Sequence, residues 1–174
     1  MRQRIHAEPL NMKNENKDPF QKAYETSGRL LSRRPHSAGE LTAKLRQRGF
    51  SPEVIGGTVS KLLSCGFLDD AKFAEAYFDE LKAKGFGVMR IKMAMKKRGI
   101  SDDILSEIMQ GKISPDEEIE GAVAALVKRK LHFSREEDPL KRRQKMFRYL
   151  ASRGFQSSVI CRAVGEFNEP AREE

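Results

Sequence analysis

A short phrase recurs three times in this chain: Leu45-Arg46-Gln47-Arg48-Gly49-Phe50, Met95-Lys96-Lys97-Arg98-Gly99-Ile100 and Leu150-Ala151-Ser152-Arg153-Gly154-Phe155. Apolar residues stand four positions before each glycine (Leu45, Met95, Leu150) and eight before it (Leu41, Ile91, Met146). An apolar pair follows at Val54-Ile55, Ile104-Leu105 and Val159-Ile160. The glycines are 50 and then 55 residues apart. Repetition at that period marks one supersecondary unit used three times.

The residues before each glycine carry the apolar spacing of a helix face, and Arg-Gly just past the last apolar position is a helix stop. Glycine enters the left-handed conformation at little cost, and the arginine complements the negative end of the helix dipole. A new helix starts at once, with Ser51-Pro52, Ser101-Asp102-Asp103 and the weaker Gln156-Ser157 as caps. A third helix precedes each pair, its apolar run ending at Leu31, Leu81 and, displaced by five residues, Leu131. The excess falls in His132 to Asp138, which reads as a loop. Asp18-Pro19, Ser37-Ala38-Gly39-Glu40, Ser114-Pro115 and Asp138-Pro139 supply further start signals, the second in capping-box form.

The fold expected is all-α, an elongated array of three tandem three-helix repeats. Nine helices are predicted, at about 19–31, 37–48, 52–64, 70–84, 87–98, 102–110, 115–130, 139–153 and 156–167. The predicted domains are a disordered segment 1–18, repeats at 19–66, 67–112 and 113–168, and a frayed tail 169–174. No stretch alternates at period two, so no sheet is expected.

Only 39% of the 174 residues are hydrophobic and a third are charged. Units this small bury little apolar surface alone, so neighbours must lean on one another. The net charge of +8 favours a polyanionic or acidic partner. Its placement is more telling: Arg90, Lys92, Lys96, Lys97 and Arg98 share the second middle helix with no acid. Lys141, Arg142, Arg143, Lys145, Arg148 and Arg153 do the same in the third. Solvated helix faces account for such runs in general, but two acid-free helices at equivalent positions suggest a basic stripe. The contact candidates are Arg90, Lys92, Lys96, Lys97, Arg142, Lys145 and Arg148. Arg48-Gly49, Arg98-Gly99 and Arg153-Gly154 are read as structural, because they recur regardless of nearby charge.

Nothing in the sequence assembles a catalytic, cofactor or metal site. His6, His36 and His132 are scattered, and Asp69-Asp70 stands where a helix begins, as a cap and a first-turn acid. Gly85-Phe86-Gly87 lacks the strand and Gly-Lys-Ser/Thr of a phosphate loop. Cys65 and Cys161 are expected as reduced, partly buried thiols in a cytoplasmic protein. No apolar run is long enough to span a membrane, and Met12 could serve as an alternative start.

The segment Gly66-Phe67-Leu68-Asp69-Asp70 followed by Phe73-Ala74, together with Lys84-Gly85, Arg90-Ile91, Arg98-Gly99-Ile100-Ser101 and Tyr149-Leu150 leading to Arg153-Gly154-Phe155 and Val159-Ile160, resembles the RecX family of bacterial RecA regulators. The similarity runs in order over about residues 20–167. It implies a non-enzymatic helical array, without cofactors, that binds the RecA filament on single-stranded DNA. Such proteins are expected to lie in the filament groove and restrain strand exchange, ATP hydrolysis and co-protease activity in DNA repair, recombination and the SOS response. The partner expected is therefore that filament, with weak non-specific DNA binding, for a monomer. The alternative is a direct DNA-binding helical protein or transcription regulator. Against it, the helices after each turn carry few basic residues, and Phe50, Phe67, Phe73, Phe147 and Phe155 fall at core or turn positions rather than on a stacking surface.

Overall fold

The computed structural model describes residues 18–168, so the expectations for the first 17 residues, including His6 and Met12, and for the tail 169–174 lie outside the described residues. Ten helices follow one another: α1 Pro19–Leu31, α2 Ala38–Gln47, α3 Pro52–Ser64, α4 Asp70–Ala83, α5 Val88–Lys97, α6 Asp102–Lys112, α7 Pro115–Val127, α8 Lys130–Ser134, α9 Pro139–Arg153 and α10 Ser157–Asn168. The described residues contain no strand. The chain is thus an array of three three-helix repeats, α1–α3, α4–α6 and α7 with α9–α10.

Each repeat closes its own core. Leu41 and Leu45 of α2 join Ala23, Leu30, Ile55 and Leu62; Ile91 and Met95 of α5 join Ala74, Phe78, Leu81 and Leu105. In the third core Met146 and Leu150 of α9 meet Leu126, Ile160 and Val164. The two apolar positions four and eight before each glycine are therefore the inward stripe of the middle helix. Leu68 packs into the first core although it lies beyond the expected boundary at residue 66.

The expected start signals act as caps. Ser51, Ser101 and Ser114 accept the amides of Val54, Ile104 and Glu117, Asp69 accepts that of Lys72, and Asp138 takes those of Leu140 and Lys141. Asp18 makes no such side-chain bond.

Three expectations need correction. The five-residue excess before α9 is helical in part: α7 stops at Val127, and α8 inserts Phe133 into the third core. Leu131, expected to end the inward run, is 81% exposed, and Leu126 takes that place. Ten helices rather than nine result, because the insertion carries an apolar residue that needs covering. Both cysteines are exposed rather than partly buried, Cys65 at the C-cap of α3 and Cys161 on the outer face of α10.

The repeats meet at two joints of one design, where the N-terminus of one middle helix abuts the C-terminus of the next. At the first, the Ser37 hydroxyl accepts the Glu40 amide at 3.0 Å and donates to the Arg98 carbonyl of α5. Asp70 accepts the Ala38 amide at 2.7 Å. The Glu40 carboxylate, expected to fold back on its own cap, instead receives Arg98 at 2.8 Å together with Arg34. At the second joint the amides of Gly87 and Met89 donate to the carbonyls of Arg153 and Gly154 at 2.9 and 3.1 Å. Arg90 reaches the Ser152 carbonyl and Arg153 the Lys84 carbonyl, each at 2.9 Å. Carbonyls that a helix leaves unpaired at its end are thereby satisfied by its neighbour, with the two dipoles head to tail.

Glycine permits the approach. A Cβ on Gly39 would stand 2.7 Å from the Gly99 carbonyl oxygen, and one on Gly87 would stand 2.5 Å from that of Gly154. Gly49, Gly99 and Gly154 all hold positive φ, at 82°, 76° and 85°, but only Gly49 has nothing within 4 Å of where its Cβ would be. Gly49→Ala should therefore lose only the cost of a left-handed L-residue, about 1–2 kcal/mol. Gly99→Ala adds a backbone collision with Gly39 and should lose clearly more in urea denaturation. Equal losses would show that the joint does not support the fold.

The first joint also predicts a pH dependence. Burial pushes the Glu40 carboxyl up, but the hydrogen bonds from Arg34 and Arg98 outweigh it and hold it at about 2. A carboxyl depressed on folding stabilises the fold above its unfolded pKa of about 4.3. That contribution is lost as pH falls from there toward 2. Denaturation midpoints measured across this window should fall less steeply for Glu40→Gln than for the parent.

Candidate functional site

Because α9 abuts α5 and α5 abuts α2, the basic residues of the middle helices occupy consecutive members of one row. The structure divides them into those engaged in packing and those left to solvent. Arg98 and Arg153 leave their own helix ends and cross the joints; Arg98 lies 5.2 Å over the Tyr77 ring, and Arg153 is 5.2 Å from the Phe86 ring and 5.3 Å from that of Tyr149. Arg90, counted among the contact candidates, is held in the second joint, with its guanidinium 4.4 Å above Phe86. Arg48 instead bonds the Lys44 carbonyl of its own helix at 3.0 Å.

Several surface charges are paired. Lys96 meets Asp102 at 2.7 Å and Lys145 meets Glu136, which hold both carboxyls below their ordinary range through hydrogen bonds. Arg148 donates to Gln144 at 3.4 Å. Lys92 adds to the field at Asp102 without an ion pair. Among the described residues, Lys97, Arg142 and Arg143 have no acidic group within salt-bridge distance. The seven candidates thus do not form one equivalent set: Arg90 is taken up in a joint and Lys96 and Lys145 face carboxylates, whereas among the described residues Lys92, Lys97, Arg142 and Arg148 have no acidic group within salt-bridge distance.

Asp69 and Asp70 have separate structural tasks, Asp69 capping α4 and Asp70 holding the N-terminus of α2 across the first joint. Gly87, at the end of the glycine-flanked turn, is the N-cap residue of α5 in the second joint. His36 is buried beside the first joint with Nδ1 2.9 Å from the Arg34 carbonyl, and desolvation lowers its pKa. Among the described residues no three His, Cys, Asp or Glu side chains gather as a metal site.

Exposed apolar groups lie among the charges, and one of the residues read as core or turn, Phe147, is among them, on α9. Phe67 is 63% and Phe147 37% exposed, so neither is a core residue. Met93, 72% exposed, interrupts the basic face of α5. Phe67 follows Gly66, whose positive φ swings the chain outward after α3. It borders a groove of about 510 Å³ between the first two repeats, along with Phe73, Tyr77, Arg34 and Lys72. Phe73 and Tyr77 stack there with centroids 5.8 Å apart. A surface of this kind, basic with isolated apolar contacts, suits binding a macromolecule rather than enclosing a substrate. The signal available in sequence was the Gly66-Phe67 pair, since a large apolar residue directly after a left-handed glycine need not return to the core.

Comparison with known proteins agrees with this architecture. Family models described as the first, second and third three-helix domains of RecX match residues 23–62, 69–109 and 116–164. Regulatory protein RecX of Chromohalobacter salexigens is 35% identical over 144 residues, covering 83% of this chain and 91% of that protein. Its counterpart in Haemophilus influenzae strain Rd is 32% identical over 139 residues, 79% and 89% of the two chains. The Deinococcus radiodurans protein is 34% identical over 141 residues, 81% of this chain but 66% of that longer one. The crystal structure of RecX from Lactobacillus salivarius superposes with a TM-score of 0.76 at 22% identity, over 87% of this chain and 97% of the other. With all three domains matched in order and relatives above 30% identity over most of its length, the chain belongs to the RecX family of regulatory proteins.

Proposed function

We propose that this protein binds the RecA filament assembled on single-stranded DNA and restrains it, lowering recombinase, ATPase and co-protease activity. The observation that carries the reading is the row of end-to-end middle helices on which, among the described residues, Lys92, Lys97 and Arg142 stand outside any ion pair on two successive members. Such a row meets a filament groove, where protein walls flank a phosphate backbone, better than it meets one DNA duplex. The second helix of each turn, which would enter a major groove, carries little positive charge: α6 contains Asp102, Asp103 and Glu107 against Lys112. Met93 and Phe147 add apolar contacts that a protein wall can cover and phosphates cannot. The family assignment supports a regulator, and the relatives carry the name of regulatory proteins.

ATP hydrolysis by a cognate RecA on preformed filaments tests this, with the protein added well below one copy per RecA and free DNA in excess. Hydrolysis should fall; no change would refute filament restraint and favour direct DNA binding. Replacing Lys92, Lys97 and Arg142 together by Glu should raise the concentration needed by about tenfold or more, equivalent to about 1.4 kcal/mol. Helical circular dichroism should be unchanged. The pair Lys96→Glu and Lys145→Glu should have the smaller effect, since both lysines already face carboxylates. Binding to bare DNA should be weak and should fall steeply with salt.

A further inference from the structure

The Arg-Gly end of a middle helix occurs three times, and twice it is covered by the N-terminus of another helix. The third, Arg48-Gly49-Phe50 at the end of α2, meets no helix N-terminus among the described residues. No described atom lies within 4 Å of the Cβ position of Gly49. Phe50 is only half-buried, whereas Ile100 and Phe155 at the equivalent positions are buried. Arg48 folds back onto Lys44, whereas Arg98 and Arg153 reach across to a neighbour. The surface left open is a recess of about 360 Å³ bordered by Thr26, Arg29, Leu30, Arg33, Arg48 and Phe50.

We propose that this recess docks the N-terminus of a helix from a partner protein, one with a small residue at or near its N-cap and an acidic side chain in its first turn. The two internal joints define that occupant. In the first, Gly39 gives the close approach and Glu40 pairs with Arg98; in the second, Gly87 gives the approach and donates its amide to the carbonyl before the glycine. The open copy is also more basic than its equivalent. Fifty residues on from Arg29 and Arg33 stand Asp79 and Ala83, so the missing neighbour should carry more acid than repeat 1 brings to repeat 2.

A second copy of this chain does not fit the recess. Among the described residues, the one middle-helix N-terminus that meets no other middle helix is that of α9, and Glu137-Asp138-Pro139-Leu140-Lys141 has no glycine for the crossing. Asp138 already takes the amides of Leu140 and Lys141, and proline has none to give. The inference concerns a protein partner at the end of the array and holds whether or not the row of lysines binds a filament.

The test uses the chain's own joint as probe. A synthetic peptide of residues 36–48, held helical by a lactam bridge between its exposed positions 43 and 47, presents Ser37, Gly39 and Glu40 in the conformation that docks on Arg98-Gly99. Titrated into the isotope-labelled full chain, it should shift the amides of Arg48, Gly49 and Phe50 saturably. Arg48→Glu in the protein, or Glu40→Lys in the peptide, should weaken binding by about tenfold or more, and Gly39→Leu in the peptide should abolish it. Absence of saturable shifts at millimolar peptide would overturn the proposal, as would shifts confined to the Arg98-Gly99 joint. Concentration-dependent shifts at Gly49 without peptide would assign the recess to a second copy. Binding seen only after removal of residues 1–17 would assign it to the chain's own N-terminal segment. Either result would overturn the partner assignment.

Discussion

The last carbonyls of an α-helix have no partner within the helix, and burying them unpaired is costly. This molecule uses that requirement to join its repeats. The C-terminal carbonyls of α5 and α9 accept from the N-terminal residues of the preceding middle helix, through the Ser37 hydroxyl in one case and the Gly87 and Met89 amides in the other. The chemistry differs while the geometry is shared, and both versions need a residue without Cβ at the crossing. Each repeat has its own core, so these joints, more than a common hydrophobic interior, determine how the repeats are ordered.

Once the middle helices run end to end, the basic residues fall into two groups. Arginines at the joints neutralise helix ends and lie over Phe86, Tyr77 and Tyr149. Lysines of the same helices project outward, and the acids that compensate some of them sit on neighbouring segments, Asp102 for Lys96 and Glu136 for Lys145. The other basic residues exposed on α5 and α9, Lys92, Lys97 and Arg142, have no ion-pair partner among the described residues. Repetition also explains why one end of the array is unlike the other: α9 begins with a self-contained Asp138-Pro139 cap, whereas α2 ends on an Arg48-Gly49 that no described helix covers.

Much of this was legible in sequence because a local rule carried it. Leu41, Leu45, Ile91, Met95, Met146 and Leu150 are all buried, since positions four and eight before a helix-stop glycine lie on one helical face. What escaped was decided between repeats or by an insertion. Glu40 has the spacing of a capping box, but Arg98, 58 residues away, offers a stronger electrostatic partner. Asp70 reads as a first-turn acid of α4, yet its oxygen caps α2. Leu131 has the right hydrophobicity for the inward run, but α7 ends four residues earlier and Phe133 enters the core from α8. Arg90 shares its composition signal with Lys92, and only the docking of α9 separates their roles.

The most direct test is the shape of the chain when the crossing is blocked. Small-angle X-ray scattering of the parent and of Gly87→Leu, with circular dichroism of both, compares packing between repeats with helix content. The variant should keep its helicity and gain a larger radius of gyration, as the third repeat loses its seat on α5. A superimposable scattering profile would place the cohesion of the array elsewhere than in the joints.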